Sequence, residues 1–264
     1  MHNLKKYKKM IFAFLVVFLT CSSLFADDSL LKTNYSFLNV SANYLDWTKS
    51  TEKSSPQRDF AYLELEGGAG FEWGDVYGYF DIENPSRGYD NTPQDNRRYA
   101  FKPAMDIRLF HSNWYIYSQD FNLYSKDYHI SNLIAGISYK MVKEDLLFQP
   151  FLAPHYQEST YYSGFNGYMF GWILNYDFTM HKEKFTIFQW HEQEFARDKK
   201  HYLAADGSRT GDGESYGIQG SFELWWHMTK RVKAGLQYRY ALNKLGYYGY
   251  QDGFIYSLRY YFKR

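Results

Sequence analysis

The chain has 264 residues, with 30 Lys+Arg against 29 Asp+Glu, 22% aromatic residues and one cysteine. A formal charge of +1 provides no basic field for nucleic acid, and a lone cysteine forms neither an intrachain disulfide nor a thiolate metal cluster. No second long apolar run follows the N-terminal one, so the composition excludes a helical membrane protein.

The first element reads as an export signal. Lys5, Lys6, Lys8 and Lys9 precede an apolar run from Met10 to Leu19. That run is shorter than the ~20 residues of a spanning helix, which suits the core of a cleavable leader. Cleavage is expected after Ala26, leaving a leader at 1–26 and one domain at 27–264. Cys21 would be a lipidation site only with a small residue before it, and Thr20, Leu19 and Phe18 fit poorly. The leader carries four lysines and no acid, so its removal leaves 26 basic against 29 acidic groups, a net charge near −3.

The rest of the chain alternates. Phe254, Tyr256, Leu258, Tyr260 and Phe262 share one parity, with Ser257 and Arg259 on the other. A period of two places each set on one face of a strand. In chain order the pattern predicts twelve strands, at 36–47, 60–73, 76–83, 99–110, 114–124, 129–141, 147–156, 167–178, 185–195, 215–227, 232–243 and 253–263. Most reach the ~9–11 residues that a tilted membrane-spanning strand needs. Every second connection is short, and the others are longer and polar, with 125–128 as a short exception. Behind an export signal, this predicts an all-β transmembrane antiparallel barrel of about twelve strands in the outer membrane, with short periplasmic turns and longer external loops. A soluble β-sandwich would instead favour Leu, Ile and Val over Tyr on its inner face.

Parity also assigns the lumen. If Leu63 and Leu65 face lipid, then Tyr62, Glu64 and Glu66 face in. By the same rule Tyr77, Tyr79 and Asp81 face in, as do Lys102, Asp106 and Arg108, and later Gln219, Glu223, Lys233, Gln237, Arg239 and Arg259. A charge turned to lipid costs ~2–4 kcal/mol at mid-depth, which fixes the register. On the ninth strand Glu192 and Glu194 are expected inside, leaving His191 and Gln193 on the lipid side. The mixed charges admit two readings. They either pair with one another to fill a small barrel, or they line a narrow pore in which aromatic faces stack on a flat solute and polar groups hold its hydroxyls.

The run Ala61-Tyr62-Leu63-Glu64-Leu65-Glu66, followed by Trp73-Gly74-Asp75-Val76-Tyr77-Gly78-Tyr79-Phe80-Asp81, resembles the Tsx family of nucleoside-specific outer-membrane channels, related to the OmpK porin. That family has a Tyr-Leu-Glu-x-Glu strand, a Trp-x-Asp turn and an aromatic-Tyr-Gly-Tyr-x-Asp strand in this order. Asn113-Trp114-Tyr115 resembles the following family strand more loosely. The resemblance implies a twelve-stranded monomeric barrel that passes nucleosides down their gradient. Strand parity gives the expected lumen site, among Tyr62, Glu64, Glu66, Tyr77, Tyr79, Asp81, Asp106, Arg108, Arg239 and Arg259. The partners expected are small polar solutes, outer-membrane lipid and the outer-membrane assembly machinery, with no cofactor and no metal.

Two alternatives remain at this stage. One is a barrel without nucleoside preference, either a general porin or a surface and phage receptor. The other is a hydrolase: His129-Ile130-Ser131-Asn132 resembles the active-site segment of the outer-membrane phospholipase, whose serine and base share a strand face. Leu133 replaces the Gly that normally follows, and the strand reading sets His129 and Ser131 on the luminal side, away from lipid. His155, His181, His201 and His227 read as interfacial or solvated. The acidic stretch 206–214 reads as a flexible external loop with at most weak calcium affinity.

Overall fold

The computed structural model describes residues 32–90 and 96–263. The expected leader lies outside them. Strand β1 (Tyr35–Trp47) is followed by a short helix α1 (Lys49–Ser54), then β2 (Phe60–Phe71), β3 (Gly74–Glu83), β4 (Arg98–Arg108) and β5 (Trp114–Tyr124). Strand β6 (His129–Tyr139) breaks at Lys140 and resumes at Met141–Lys143. Next come β7 (Leu146–Ser159), β8 (Ser163–Met180), β9 (Glu183–Phe195), helix α2 (Lys199–Tyr202), β10 (Gly217–Trp226), β11 (Val232–Lys244) and β12 (Tyr247–Lys263).

Every strand pairs antiparallel with its sequence neighbours. Both parts of β6 pair with β7, so thirteen segments make twelve strands. β1 pairs with β12 from Leu38↔Lys263 to Trp47↔Gly253, which closes the barrel and removes every sheet edge. Closure satisfies each backbone N–H and C=O inside the sheet, as hydrocarbon demands.

The outer ends of several strands run past the expected boundaries. The loops expected at 157–166 and 244–252 are replaced by strand extensions and by turns at 160–162 and 245–246. Leu245 and Gly246 have φ of 62° and 78°, the double positive φ of a two-residue hairpin turn. The reason is solvent: above the hydrocarbon both faces of a ladder are wet, so pairing continues without apolar alternation. The longer external connections fold back on the rim. Thr48 caps α1, and Asp252 Oδ1 accepts a hydrogen bond from Thr48 Oγ1 at 2.7 Å. Arg197 Nη1 donates to the carbonyls of Tyr216 and Asn243 at 3.1 and 2.9 Å.

The expected apolar rows do face outward. Leu63, Leu65, Ile116, Ile137, Leu152, Phe222 and Leu258 are exposed on the outside. Aromatic pairs lie near the strand ends, such as Tyr168–Phe195 above and Phe178–Phe185 below, as expected of interfacial belts. His191 does face outward. It is sheltered there: its ring stacks on Trp172 at 4.1 Å, and its Nδ1 lies 2.8 Å from the Tyr240 hydroxyl.

The interior is divided. Inside β5 to β8, Tyr117, Ile134, Phe151, Ala153 and Met169 form a buried cluster. Gly171 makes room for it, because a Cβ there would meet the Phe151 ring at 2.5 Å and the His191 carbonyl at 2.3 Å. His155 points into this sector and is fully buried, with Nε2 3.0 Å from Asn132 Oδ1. It is therefore not interfacial as expected; it shares the inward parity of Phe151 and Ala153. Inside β1 to β3 and β10 to β12 most inward residues are polar or amphipathic, and a smaller buried cluster of Leu45, Trp47 and Ile255 has Phe60 and Tyr62 packed against it.

His129 and Ser131 also depart from expectation. They lie on the outer parity of β6 with Leu133 and Ile137, because odd positions share that face while Asn132 and Ile134 turn inward. Ser131 Oγ donates to Asp120 Oδ1 at 2.7 Å, and His129 Nδ1 lies 3.2 Å from Thr160 Oγ1. The serine is thus held by a carboxylate and not by the imidazole that a nucleophile would require.

Candidate solute pathway

Residues at i and i+2 on a strand share a face, so Tyr62, Glu64 and Glu66 of β2 and Tyr77, Tyr79 and Asp81 of β3 enter the interior as two adjacent rows. Register sets Glu64 beside Asp81 and Glu66 beside Tyr79. Arg259 of β12 reaches them across β1, with Nη2 3.2 Å from Glu64 Oε1 and Nη1 2.9 Å from Glu66 Oε2. Its guanidinium also stacks on Trp225 at 4.1 Å. Glu66 accepts further bonds from Asn39 Nδ2 at 2.9 Å and Tyr77 OH at 2.8 Å. Glu64, Glu66 and Arg259 therefore satisfy one another, and they form the wall of the pathway.

Other groups are left available. Tyr62 and Tyr79 have no hydrogen-bond partner for their hydroxyls among the described residues, and both are half-buried. Tyr79 packs edge-on against Tyr77 at 6.5 Å. Tyr77 keeps 38% of its surface exposed although it points inward, so open space lies before it. Asp81 has no ion pair among the described residues, and its Oδ1 has no hydrogen-bond partner. On the facing side Arg239 of β11 donates to Gly220 O at 3.1 Å and Gln219 Oε1 at 3.0 Å. Its guanidinium lies 4.6 Å from the centre of the Trp190 ring, and it has no carboxylate partner among the described residues. Lys102, beside Tyr79 in the register, holds its Nζ 5.6 Å from the centre of the same indole, which links the two sides. The result is a polar lane with tyrosine rings and carboxylates on one side, and an indole and an unpaired guanidinium on the other.

The structure brings together eight of the ten expected residues. Asp106 belongs elsewhere: it accepts from Ser138 Oγ and Gln149 Nε2 at 3.1 and 2.8 Å and pairs with Lys140 Nζ at 3.0 Å. That network, with Asp75 also bound to Lys140, fills the periplasmic end. Arg108 does not line the lumen. It is exposed at the end of β4, where its Nε donates to Ser112 O at 2.9 Å, because its strand ends there and the side chain turns to the connecting residues. Trp190, Gln219 and Lys102 are the contributors absent from the expected set. Parity alone placed them inside, but nothing local distinguished them from filler.

In the acidic stretch 206–214, Asp206 Oδ1 accepts from Ser208 Oγ and N at 2.6 and 2.9 Å. Those two bonds, the hydroxyl's first, hold its carboxyl below the usual range. Glu214 pairs with Arg209 at 2.7 Å. No group of three or more metal-ligating side chains occurs among the described residues.

Among solved structures, the NanC porin is similar, with a TM-score of 0.52 and 13% identity over 84% of this chain and 98% of that one. The KdgM porin matches with a TM-score of 0.47 and 12% identity over 84% and 98%. At such identity the NanC likeness speaks for the fold alone, a porin barrel. The family model of the nucleoside-specific channel-forming protein Tsx matches residues 42–262, nearly the whole barrel. The chain belongs to the Tsx family of nucleoside-specific channel-forming proteins, and it is an outer-membrane channel for small solutes.

Proposed function

We propose that nucleosides cross this barrel through the lane between β2–β3 and β9–β11, and that Tyr62, Tyr79, Trp190, Asp81 and Arg239 bind them on the way. The observation that carries this reading is a set of interior groups with spare binding capacity: the Tyr62 and Tyr79 hydroxyls and Asp81 Oδ1 have no hydrogen-bond partner among the described residues, and Arg239, held by Gln219 and Gly220, has no carboxylate partner among them. A nucleoside brings what they lack. Its base is a flat π-surface for the rings, worth ~1–3 kcal/mol per stacked base. Its ribose hydroxyls donate to a carboxylate, and the ring nitrogens or carbonyl oxygens of its base accept from a guanidinium.

Binding must be weak enough to release the solute, so several modest contacts suit conduction better than one tight site. Glu64, Glu66, Tyr77 and Arg259 hold the wall in shape around these contacts. The gradient alone drives transport, and the barrel works as a monomer whose outer face meets outer-membrane lipid. Residues 1–26 act as a leader removed on export, and 27–264 form the barrel, which the outer-membrane assembly machinery inserts. The test is single-channel conductance in a planar bilayer with adenosine or thymidine titrated in. Saturable block by nucleosides, and none by free ribose or glucose at equal concentration, is the expected outcome. Block by ribose alone would remove the bases from the recognition.

A further inference from the structure

One carboxylate ties opposite walls of the barrel together. Glu192 of β9 accepts from Lys102 Nζ of β4 at 2.9 Å and from Gln119 Nε2 of β5 at 2.8 Å, both on Oε1. Its Oε2 accepts from Gln219 Nε2 of β10 at 2.7 Å. Tyr117 OH donates to Gln119 Oε1 at 2.5 Å, and Arg239 donates to Gln219 Oε1 at 3.0 Å. Between β4 and β9 lie β5 to β8 on one side of the ring, and β3, β2, β1, β12, β11 and β10 on the other. The Lys102–Glu192 bond is therefore a chord across the lumen, and no cross-strand neighbour pair makes it. Behind the chord, in β5 to β8, the space is filled by Tyr117, Ile134, Phe151 and Met169. In front of it lies the lane.

We infer that Lys102 and Glu192 form a strut that confines the open lumen to one lane and sets its size limit, so that they are specificity-determining residues of the channel. The inference rests on the reading of that lane as the solute path. Lys102 stands beside Tyr79 in the register, and its Nζ lies 5.6 Å from the centre of the Trp190 ring. The strut thus fixes both the width of the lane and the position of the indole that faces the tyrosines. A buried ion pair contributes little net stability compared with an apolar pair of equal volume, whereas it fixes geometry. Here Gln119 and Gln219 satisfy the remaining lone pairs of the carboxylate and hold it rigid. The solutes excluded would be those broader than a single ring and its sugar, such as dinucleotides and branched oligosaccharides, while a flat nucleoside passes edge-on.

The experiment compares the purified full-length protein with Lys102→Ala and with the neutral double variant Lys102→Ala/Glu192→Gln in planar bilayers. Conductance in potassium chloride is read alone and then with polyethylene glycols of rising size. Removing the lysine should raise conductance about twofold and admit larger polymers, because conduction follows the width of the narrowest section. The double variant leaves no unpaired buried charge, and it decides the matter if the single variant does not fold. Wild-type conductance and an unchanged polymer cut-off in the folded double variant would overturn the strut. These readings use no nucleoside, so a failure of nucleoside block in the wild-type channel is seen separately.

Discussion

Inside β5 to β8, Tyr117, Ile134, Phe151, Ala153 and Met169 form one buried cluster. Inside β2, β3 and β11, Tyr62, Tyr79 and Arg239 remain half-buried; among the described residues the two tyrosine hydroxyls have no hydrogen-bond partner, and Arg239 is held by Gln219 and Gly220 but by no carboxylate. Both halves use the same alternation, the same tilt and the same kind of lipid face. The difference lies only in what stands at the inward positions. In β5 to β8 the inward apolar residues form the larger buried cluster, whereas on β2 and β3 amphipathic inward residues leave Tyr77 exposed to open space.

The comparison breaks most readily in the packed half. Phe151→Ala removes a ring seated over Gly171 and should cost ~3–5 kcal/mol of stability, measured by denaturant unfolding in lipid vesicles. A loss below ~1 kcal/mol would mean that the sector is not tightly packed. On the polar side the wall, and not the contact groups, should carry stability. Arg259→Met leaves Glu64 and Glu66 buried without their cation, at a cost of ~3–5 kcal/mol, and the same unfolding measurement checks it.

Smaller effects sharpen the contrast. Tyr79→Ala should weaken nucleoside block about tenfold, the equivalent of one lost stacking contact, while the unfolding midpoint stays put; Tyr62→Ala should weaken block similarly and also lower stability, because its ring packs against Leu45, Trp47 and Ile255. Titrated conductance together with unfolding separates the two quantities. His191→Phe should cost ~0.5–1.5 kcal/mol by deleting the contact to Tyr240 and should leave block unaffected. Asp81→Asn should not lower stability, since this buried carboxylate stands beside Glu64 in the register and loses no ion pair, but it should lower the preference of the pore for cations, as read from the reversal potential in a salt gradient.

Much of the fold was legible in the residues. Trp114 to Tyr124 shows why: an aromatic-rich run between two turn segments fixes the strand and its ends, and β5 has those same bounds. The ends of β8 and β12 were less visible, because pairing above the hydrocarbon imposes no periodicity. Eight of the ten expected site residues meet, since inward parity on neighbouring strands is a local property. Arg108 and Asp106 show its limit: parity says which face a side chain leaves from, and not the height at which it ends or the partner it finds. The Ser131 motif illustrates a different failure, in which a matching order of residues was not matched by the hydrogen bonds that the chemistry requires.

The sequence by itself determined the twelve strands, the lipid-facing rows and the inward rows, because each follows from a period of two read over ten or so residues. Only the tertiary structure decided which inward charges are spent on one another and which remain for a solute. Lys102 and Glu192 are 90 positions apart, and Glu64 and Arg259 are 195 apart. Such pairs meet only when the sheet closes, and it is closure at this strand number that sets the distance across the lumen.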